Sequence, residues 1–184
     1  DEQALVFTGA MDYWPNIDGV SWFVAEMLPR LVARHPRMRF YIVGRNPSQQ
    51  VRALAGPHVT VTGTVPDVRP YLQHASAVVA PLRVARGIQK KILEAMAMQQ
   101  PVVTVGSCAD AIGASAAQGL LRADTPEDFV TAVLHLLDSS GNTAALGRHA
   151  RHYVEHECSW QAHLQKIDHA LTGMNAMALE GSAV

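Results

Sequence analysis

The stretch that decides the fold is residues 4–43, ALVFTGAMDYWPNIDGVSWFVAEMLPRLVARHPRMRFYIV. It begins with an apolar run of strand length, Ala4 to Thr8, and ends with a second one, Arg39 to Val43. Between the two runs, residues 17–35 repeat apolar side chains at helical spacing, and Pro36 ends that pattern. A strand, a helix and a strand in this order predict the first unit of a parallel sheet.

The same alternation continues along the chain. Further strands are predicted at Val59 to Thr62, Ala77 to Ala80, Pro101 to Val105 and Leu120 to Leu121. Further helices are predicted at Pro47 to Ala55, Asp67 to His74, Gly87 to Gln99, Thr125 to Leu137, Asn142 to His156 and Ser159 to Leu171. We therefore predict an α/β fold, with a Rossmann-like parallel sheet, helices on both of its faces, and C-terminal helices after it.

Composition excludes several classes of protein. The chain has 184 residues, of which 48% are hydrophobic, and no apolar run is long enough to cross a bilayer. A net charge of -1 argues against a nucleic-acid partner. Cys108 and Cys158 lie too far apart for a zinc knuckle and suit a reducing compartment. We expect a cytoplasmic protein, and the start on Asp1 without a signal peptide suggests a fragment of a longer chain.

Residues 83–94, RVARGIQKKILE, concentrate positive charge around a predicted helix start. The cations are Arg83, Arg86, Lys90 and Lys91. A helix N-terminus already presents positive partial charge, so additional cations repel it unless an anion lies among them. This arrangement predicts a bound phosphate, held in part by the backbone N–H groups at Gly87 and Ile88.

Glycine follows most of the predicted strands. Gly9, Gly44, Gly63 and Gly106 stand in four of the five loops at the predicted carboxyl ends of the strands. Glycine there permits a tight turn and a close approach of backbone to ligand, although an ordinary turn would explain any single one. In an open parallel sheet the ligand lies at this edge. The sequence contains neither a dinucleotide fingerprint nor a P-loop.

Glu94 follows Lys90 and Lys91 by four and three residues, so the three side chains can share a helix face. They could form a surface ion pair. Alternatively, the carboxylate could accept two hydrogen bonds from the vicinal hydroxyls of a sugar while the cations hold adjoining phosphates. The second interpretation indicates a nucleotide.

His149, His152 and His156 also follow helical spacing, with Cys158 near them. No acidic or cysteine ligand completes the set at a spacing typical of a metal site. A solvated helix face is the favoured interpretation, and we predict no metal.

Several motifs together resemble a known family. They are Gly9, Pro15-Asn16, Pro81-Leu82-Arg83, Lys91-Ile-Leu-Glu94-Ala95-Met96-Ala97, Pro101-Val102-Val103 and Asp124 to Phe129. From about Leu5 to Leu171 the chain resembles the C-terminal, donor-binding domain of glycosyltransferase family 4, which is one half of the GT-B fold. Within that family it is most similar to bacterial sugar transferases of exopolysaccharide and exosortase (PEP-CTERM) systems.

The resemblance implies a retaining, metal-independent transfer of a sugar from a nucleotide diphosphate donor, without a cofactor. Glu94 matches the second glutamate of the family's Glu-x7-Glu motif, which binds the ribose hydroxyls. Arg86 stands at the position of the first glutamate, which touches the donor sugar. Ala10 and Asn16 stand where many members hold the diphosphate with an arginine and a lysine. The cation cluster of residues 83–94 offers a replacement for them.

The resemblance also implies where the rest of the donor binds, with the nucleobase near Arg45 and Val65-Pro66. The predicted donor-binding residues are therefore Glu94, Lys91, Arg83, Arg86, Gly87, Ile88, Gly9, Gly44, Arg45, Val65 and Pro66. No catalytic residue is assigned.

We predict that residues 1–157 form the donor-binding domain and residues 158–184 a C-terminal crossover helix and tail. The expected partners are a nucleotide-sugar donor and an N-terminal acceptor domain of the same chain, with no direct membrane contact from this fragment. Attachment of the full-length protein to the periphery of the inner membrane stays open. An apolar stripe on the last helix predicts self-association; its residues are Trp160, Leu164, Ile167 and Leu171.

Other functions remain alternatives. A sugar-nucleotide epimerase of the same two-domain architecture would use a similar site. A phosphorylase of this architecture would need a pyridoxal phosphate lysine motif, which the sequence does not show. A non-catalytic anion-binding module or a signalling receiver is the third alternative, but a receiver needs an aspartate after its third strand, where this chain has Gly63-Thr64.

Overall fold

The computed structural model describes residues 3–159 and Leu164, without the side chain of Ser140. Its strands are β1 (Gln3–Thr8), β2 (Met38–Val43), β3 (Val59–Gly63), β4 (Ala77–Ala80), β5 (Val102–Thr104) and β6 (Leu120–Arg122). They form one parallel six-stranded sheet in the order β3-β2-β1-β4-β5-β6. This is the doubly wound order, so the predicted Rossmann-like α/β fold is confirmed. The order reverses between β1 and β4, which places the crevice for a ligand there.

The connections are helical. They are α1 (Trp14–Trp22), α2 (Leu28–Arg34), α3 (Gln49–Arg52), α4 (Arg69–Gln73), α5 (Lys90–Ala97), α6 (Gly106–Ile112), α7 (Pro126–Asp138) and α8 (Ser140–Glu157). A π-helical segment, Phe23–Met27, joins α1 to α2, and a 3-10 turn, Ala116–Gln118, precedes β6. Among the described residues, no helix combines the length and the apolar character that a bilayer span requires.

The core lies between the sheet and the helices. Leu5 and Phe7 of β1 are fully buried, as are Phe23 of the π segment and Phe40 of β2. The rings of Phe23 and Phe40 lie 4.7 Å apart between centroids, so the first connection packs directly on the sheet. Phe129 of α7 closes the same cluster, because its ring centroid lies 6.5 Å from that of Phe23 with the two rings nearly perpendicular. Burial of these aromatic side chains fixes the face on which α1 and α2 lie.

Two predicted boundaries near the site are wrong. The helix predicted from Gly87 begins at Lys90, because Gly87 adopts a left-handed backbone with φ 65° and Gln89 is extended. Gly87 and Ile88 therefore lie in the preceding loop and not in the first helical turn. The sequence predicts a loop after β5 that contains Gly106, but Gly106 is the first residue of the helix α6.

The sequence has no typical N-cap residue at the start of α6. Its N-cap residue is Val105, whose side chain makes no capping hydrogen bond. The cap comes from far along the chain, because the backbone N–H of Gly106 donates to Asp124 Oδ1 at 2.7 Å. Only folding brings that carboxylate to the helix N-terminus, where negative charge is stabilising.

The long C-terminal helix α8 packs against α5 and against the end of α6. The hydroxyl of Tyr153 donates to the carbonyl oxygen of Ile112 at 2.8 Å. The predicted helix from Ser159 to Leu171, with its proposed apolar stripe, lies outside the described residues apart from Ser159 and an exposed Leu164.

Candidate functional site

A cleft of about 370 Å³ opens at the carboxyl ends of β1, β2 and β3, beside the first turns of α5. Six of the predicted donor-binding residues line it: Gly9, Gly44, Arg45, Val65, Lys91 and Glu94. They come from four separate segments of the chain, which the parallel sheet brings to a single edge. The cleft therefore has the location at which doubly wound folds bind their ligands.

Gly9 and Gly44 let the first two loops meet. A Cβ atom on Gly44 would lie 1.6 Å from the carbonyl oxygen of Gly9, so no other residue fits at that position. The backbone N–H of Gly9 donates to Val43 at 3.0 Å, and that of Met11 donates to Arg45 at 2.8 Å. The cleft floor is thus formed by backbone held in fixed positions, which a ligand can approach closely.

Lys91 directs its ammonium into the cleft floor. Its Nζ donates to Asn16 Oδ1 at 2.5 Å and lies 4.2 Å from the centroid of the Phe7 ring. A Cβ atom on Gly9 would stand 2.8 Å from the same Nζ, so glycine leaves the space that the ammonium occupies. Burial lowers the pKa of Lys91 to about 8, although the negative charge of Glu94 partly opposes this. The group is therefore mainly charged at neutral pH.

Asn16 connects this cation to the loop after β1. It is 5% exposed, and its Nδ2 donates to the carbonyl oxygen of Ala10 at 2.8 Å. The resemblance implied a lysine at position 16, and the ammonium found beside that position comes from Lys91 of α5. A positive charge is therefore present at this point of the cleft, although it is carried by another element.

Glu94 lies one turn after Lys91 on α5, exposed and at the cleft wall. Its carboxylate faces the same cavity as Arg45, which is also exposed. An exposed carboxylate beside a cleft can accept hydrogen bonds from hydroxyl groups of a ligand. Its assignment to the ribose stays a prediction.

The remaining predicted residues do not line this cleft. They are Arg83, Arg86, Gly87, Ile88 and Pro66. Arg83 is engaged elsewhere, since its Nη2 lies 2.5 Å from Asp18 Oδ1 and its guanidinium carbon 5.2 Å from the centroid of Trp22. Arg86 and Ile88 are exposed in the loop before α5. The predicted four-cation cluster is thus divided, with Lys91 alone contributing to the cleft floor.

Sequence reasoning missed several parts of the site. Thr8, Ala10, Val43, Thr64 and Val68 also line the cleft but were not predicted to bind donor. Phe7 and Asp18 were missed as partners of Lys91 and Arg83. The helix α1 lies close to the loop after β4, because a Cβ atom at Gly19 would stand 2.6 Å from the Pro81 carbonyl oxygen. This contact joins residues far apart in the sequence, so no local pattern predicts it.

The histidines of α8 take part in local contacts. His149 Nδ1 lies 3.1 Å from the carbonyl oxygen of Ala117, and the rings of His152 and His156 lie 4.2 Å apart. Within residues 3–159, no group of three or more histidine, cysteine, aspartate or glutamate side chains is placed to hold a metal ion.

Comparison with known proteins assigns the family. Residues 2–139 match the family described as Glycosyl transferases group 1. The chain belongs to that family. No curated protein matches this glycosyl transferase group 1 chain significantly.

Solved structures share the fold of this group 1 chain. S. aureus TarM, in a complex that contains UDP, has a TM-score of 0.75 at 20% identity over 90% of this chain and 34% of its own. Sucrose-phosphate synthase from Thermosynechococcus elongatus has a TM-score of 0.72 at 18% identity, covering 96% of this chain and 46% of its own. Anabaena HepE in complex with UDP has a TM-score of 0.69 at 15% identity, covering 94% and 49%.

These likenesses support a GT-B glycosyltransferase fold. The chain spans between about a third and a half of the length of these proteins, 34% to 49%. The predicted glycosyltransferase resemblance is confirmed at the level of group 1. Family 4 membership and the association with exopolysaccharide or PEP-CTERM systems stay predictions.

Proposed function

We propose that this chain is the donor-binding half of a retaining, metal-independent glycosyltransferase of family 4. It takes a sugar from a nucleotide diphosphate donor and passes it to a glycan or lipid-linked acceptor, as a hexosyltransferase would. The observation that carries this proposal is the convergence of Lys91, Glu94, Gly9 and Gly44 on one cleft at the carboxyl edge of the sheet. By its resemblance, the full-length protein acts in bacterial exopolysaccharide or PEP-CTERM systems.

Each part of the donor has a group that suits it. We assign the diphosphate to the backbone of Gly9 and to the Lys91 ammonium, whose Nζ lies 2.8 Å from the point that a Cβ atom on Gly9 would occupy. The ribose is placed at Glu94, whose carboxylate can accept both vicinal hydroxyls. The nucleobase is placed between Arg45 and Val65, next to Pro66.

The chemistry assigned to Lys91 is stabilisation of the leaving group. Negative charge develops on the departing diphosphate as the glycosidic bond breaks, and a preorganised cation at that point lowers the barrier. The acceptor is assigned to a second domain, since this chain corresponds to only part of the length of its structural neighbours. We expect the fragment alone to bind donor weakly and to catalyse no transfer.

Thermal unfolding of the chain with a panel of ligands tests the proposed function. The panel contains UDP, GDP, ADP, CDP and TDP, their sugar conjugates, the matching nucleosides, and magnesium alone. At least one diphosphate should raise the melting temperature as its concentration exceeds Kd, because a ligand that binds only the folded state stabilises it. The matching nucleoside should have a smaller effect, since it lacks the phosphates. Stabilisation by magnesium alone, with no response to any diphosphate, would contradict the proposal.

A further inference from the structure

Asn16 is the buried polar side chain next to the cation of the cleft. It is 5% exposed, and both ends of its amide are used. Nδ2 donates to the Ala10 carbonyl at 2.8 Å, and Oδ1 accepts from Lys91 Nζ at 2.5 Å. Because the first hydrogen bond fixes the orientation of the amide, the oxygen is held toward the ammonium.

We propose that Asn16 is a positioning residue that acts through Lys91, holding its ammonium charged and in place at the carboxyl end of β1 for the diphosphate of the donor. This inference rests on the proposed function and deepens it. Asn16 itself need not touch the donor, since its amide is engaged with the loop and with Lys91.

An amide suits position 16 because it adds no net charge beside Lys91. A carboxylate at this position would neutralise the ammonium and repel a phosphate, and a second cation would repel Lys91. An amide oxygen accepts a hydrogen bond without adding net charge. The positive charge of Lys91 therefore remains available to an anion in the cleft.

The other groups around Lys91 do not replace Asn16. The Phe7 ring from β1 lies 4.2 Å from Nζ and attracts the cation, but it offers no hydrogen-bond acceptor oxygen. Cys108 of α6 is buried, which raises the pKa of its thiol, so it stays neutral at neutral pH. Glu94 on α5 and Arg45 after β2 face the same cleft with opposite charges. Glu94 favours the charged lysine, yet it lies on the exposed wall.

A titration of Lys91 tests the contact without any ligand. The Lys91 side chain is followed by NMR against pH in the wild-type chain, Asn16→Ala and Asn16→Asp. Loss of the acceptor in Asn16→Ala should lower the pKa of Lys91 further, whereas the carboxylate of Asn16→Asp should raise it. Shifts of opposite sign are not expected from a general loss of packing. The Asp variant keeps the shape of Asn16, so it remains informative if the Ala variant unfolds.

Calorimetric binding of UDP, GDP and ADP tests the consequence for the donor. At pH 7, Asn16→Ala should weaken the best of these ligands about tenfold, as loss of a hydrogen bond to a charged group predicts. The matching nucleoside should bind as it does to the wild type. In a Lys91→Met background, the same Asn16→Ala change should alter Kd by about twofold at most, since its effect passes through Lys91.

The outcomes separate the two proposals. An unchanged Lys91 titration in both Asn16 variants, or an equally large effect of Asn16→Ala in the Lys91→Met background, would overturn the positioning role. If the titration shifts as expected but the wild-type chain binds none of the diphosphates, the proposed function fails. Asn16 would then still position Lys91, but not for a nucleotide diphosphate.

Discussion

Lys91 is the residue at which the proposed function and the stability of the fold conflict. Its ammonium is half-buried at the end of β1, between the Phe7 ring and Asn16, and burial lowers its pKa to about 8. The folded chain therefore holds a charge that it partly desolvates, which costs free energy at every pH below that value. A cation kept under these conditions is typical of a site that needs its charge.

Replacing this cation should reduce catalysis. If the full-length protein has the proposed transferase activity, Lys91→Ala should lower its turnover by about a hundredfold, by analogy with the loss of one oxyanion donor. Lys90→Ala is the matched control, because Lys90 is its exposed neighbour on the same helix turn and should keep near wild-type turnover. Steady-state kinetics with a donor excess measures both variants. A wild-type rate for Lys91→Ala would reject the assigned role.

Removal of the Lys91 charge should stabilise the folded chain. The lowered pKa corresponds to about 3 kcal/mol of unfavourable free energy at pH 7. Removal of the charge relieves this cost but also removes the favourable contacts with Asn16 and Phe7, so the net gain in stability is smaller. We expect Lys91→Met to raise the free energy of unfolding at pH 7 by about 1–2 kcal/mol. Urea unfolding measures it, with the exposed Lys90→Met as control.

The stability difference between the wild type and Lys91→Met should depend on pH. Between pH 8 and 10.5 the unfolded chain binds a proton that the folded chain has released, so wild-type stability rises with pH in that window. The advantage of Lys91→Met should therefore be full below pH 8 and should disappear as pH approaches 10.5. An advantage that stays constant from pH 7 to 10 would show that burial of the charge is not its cause.

At the scale of elements, α8 is held against the end of α5 by close backbone approach. Gly147 lies in the middle of α8, where a Cβ atom would stand 2.0 Å from the carbonyl oxygen of Gln99. Gln99 itself has a left-handed backbone, with φ 60°, just after α5. The position of α5, and with it Lys91 and Glu94, thus depends on a helix that contributes nothing to the cleft lining.

This packing predicts a difference between two glycines of α8. Gly147→Ala must displace α8 from Gln99 and should lower the free energy of unfolding by about 1–3 kcal/mol, as other overpacked contacts do. Gly141→Ala is the matched control, because in the described part of the chain no atom beyond its neighbours and its own helix backbone lies within 4 Å of the added Cβ. Its better helix propensity should raise stability by about 0.5 kcal/mol. Equal effects of the two changes in urea unfolding would contradict the packing argument.

At the scale of the whole molecule, the reversal of strand order between β1 and β4 determines where the site is. Loops after β1, β2 and β3 meet the first turns of α5 there, although the residues involved extend from Thr8 to Glu94 along the chain. Four large apolar side chains in the loops and first turn at this edge are also exposed: Tyr13, Trp14, Val84 and Ile88. The segments after β1 and β4 therefore differ from an ordinary solvated surface.

Self-association is the prediction that concerns the complete chain. The apolar stripe of residues 160–171 lies outside the described residues apart from Leu164, which is 54% exposed. We expect the elution volume in size-exclusion chromatography to fall as the protein concentration rises, because the apolar stripe that the sequence predicts would favour association. Leu164→Glu should shift the chain toward the monomer. A strict monomer at high concentration would contradict the prediction.

Local patterns were sufficient for most of the fold and for part of the site. Strand-length apolar runs identified β1, β4 and β5 most directly, because these parallel strands are buried on both faces and are almost continuously apolar. Glycine at strand ends indicated Gly9 and Gly44, and helical spacing placed Lys91 and Glu94 on one face. The prediction for the start of α5 is wrong because glycine at position 87 permits a left-handed backbone without requiring it.

The sequence by itself determined the alternation of strands and helices, the edge that carries the site, and the cations available to it. Only the tertiary structure decided which cation enters the cleft: Arg83 is bound by Asp18, and Lys91 is directed to Asn16. Both partners lie more than sixty residues away, at separations of 65 and 75. Propensity and periodicity act over a few neighbouring residues, whereas the partner of a charged side chain depends on distances set by packing of the whole sheet.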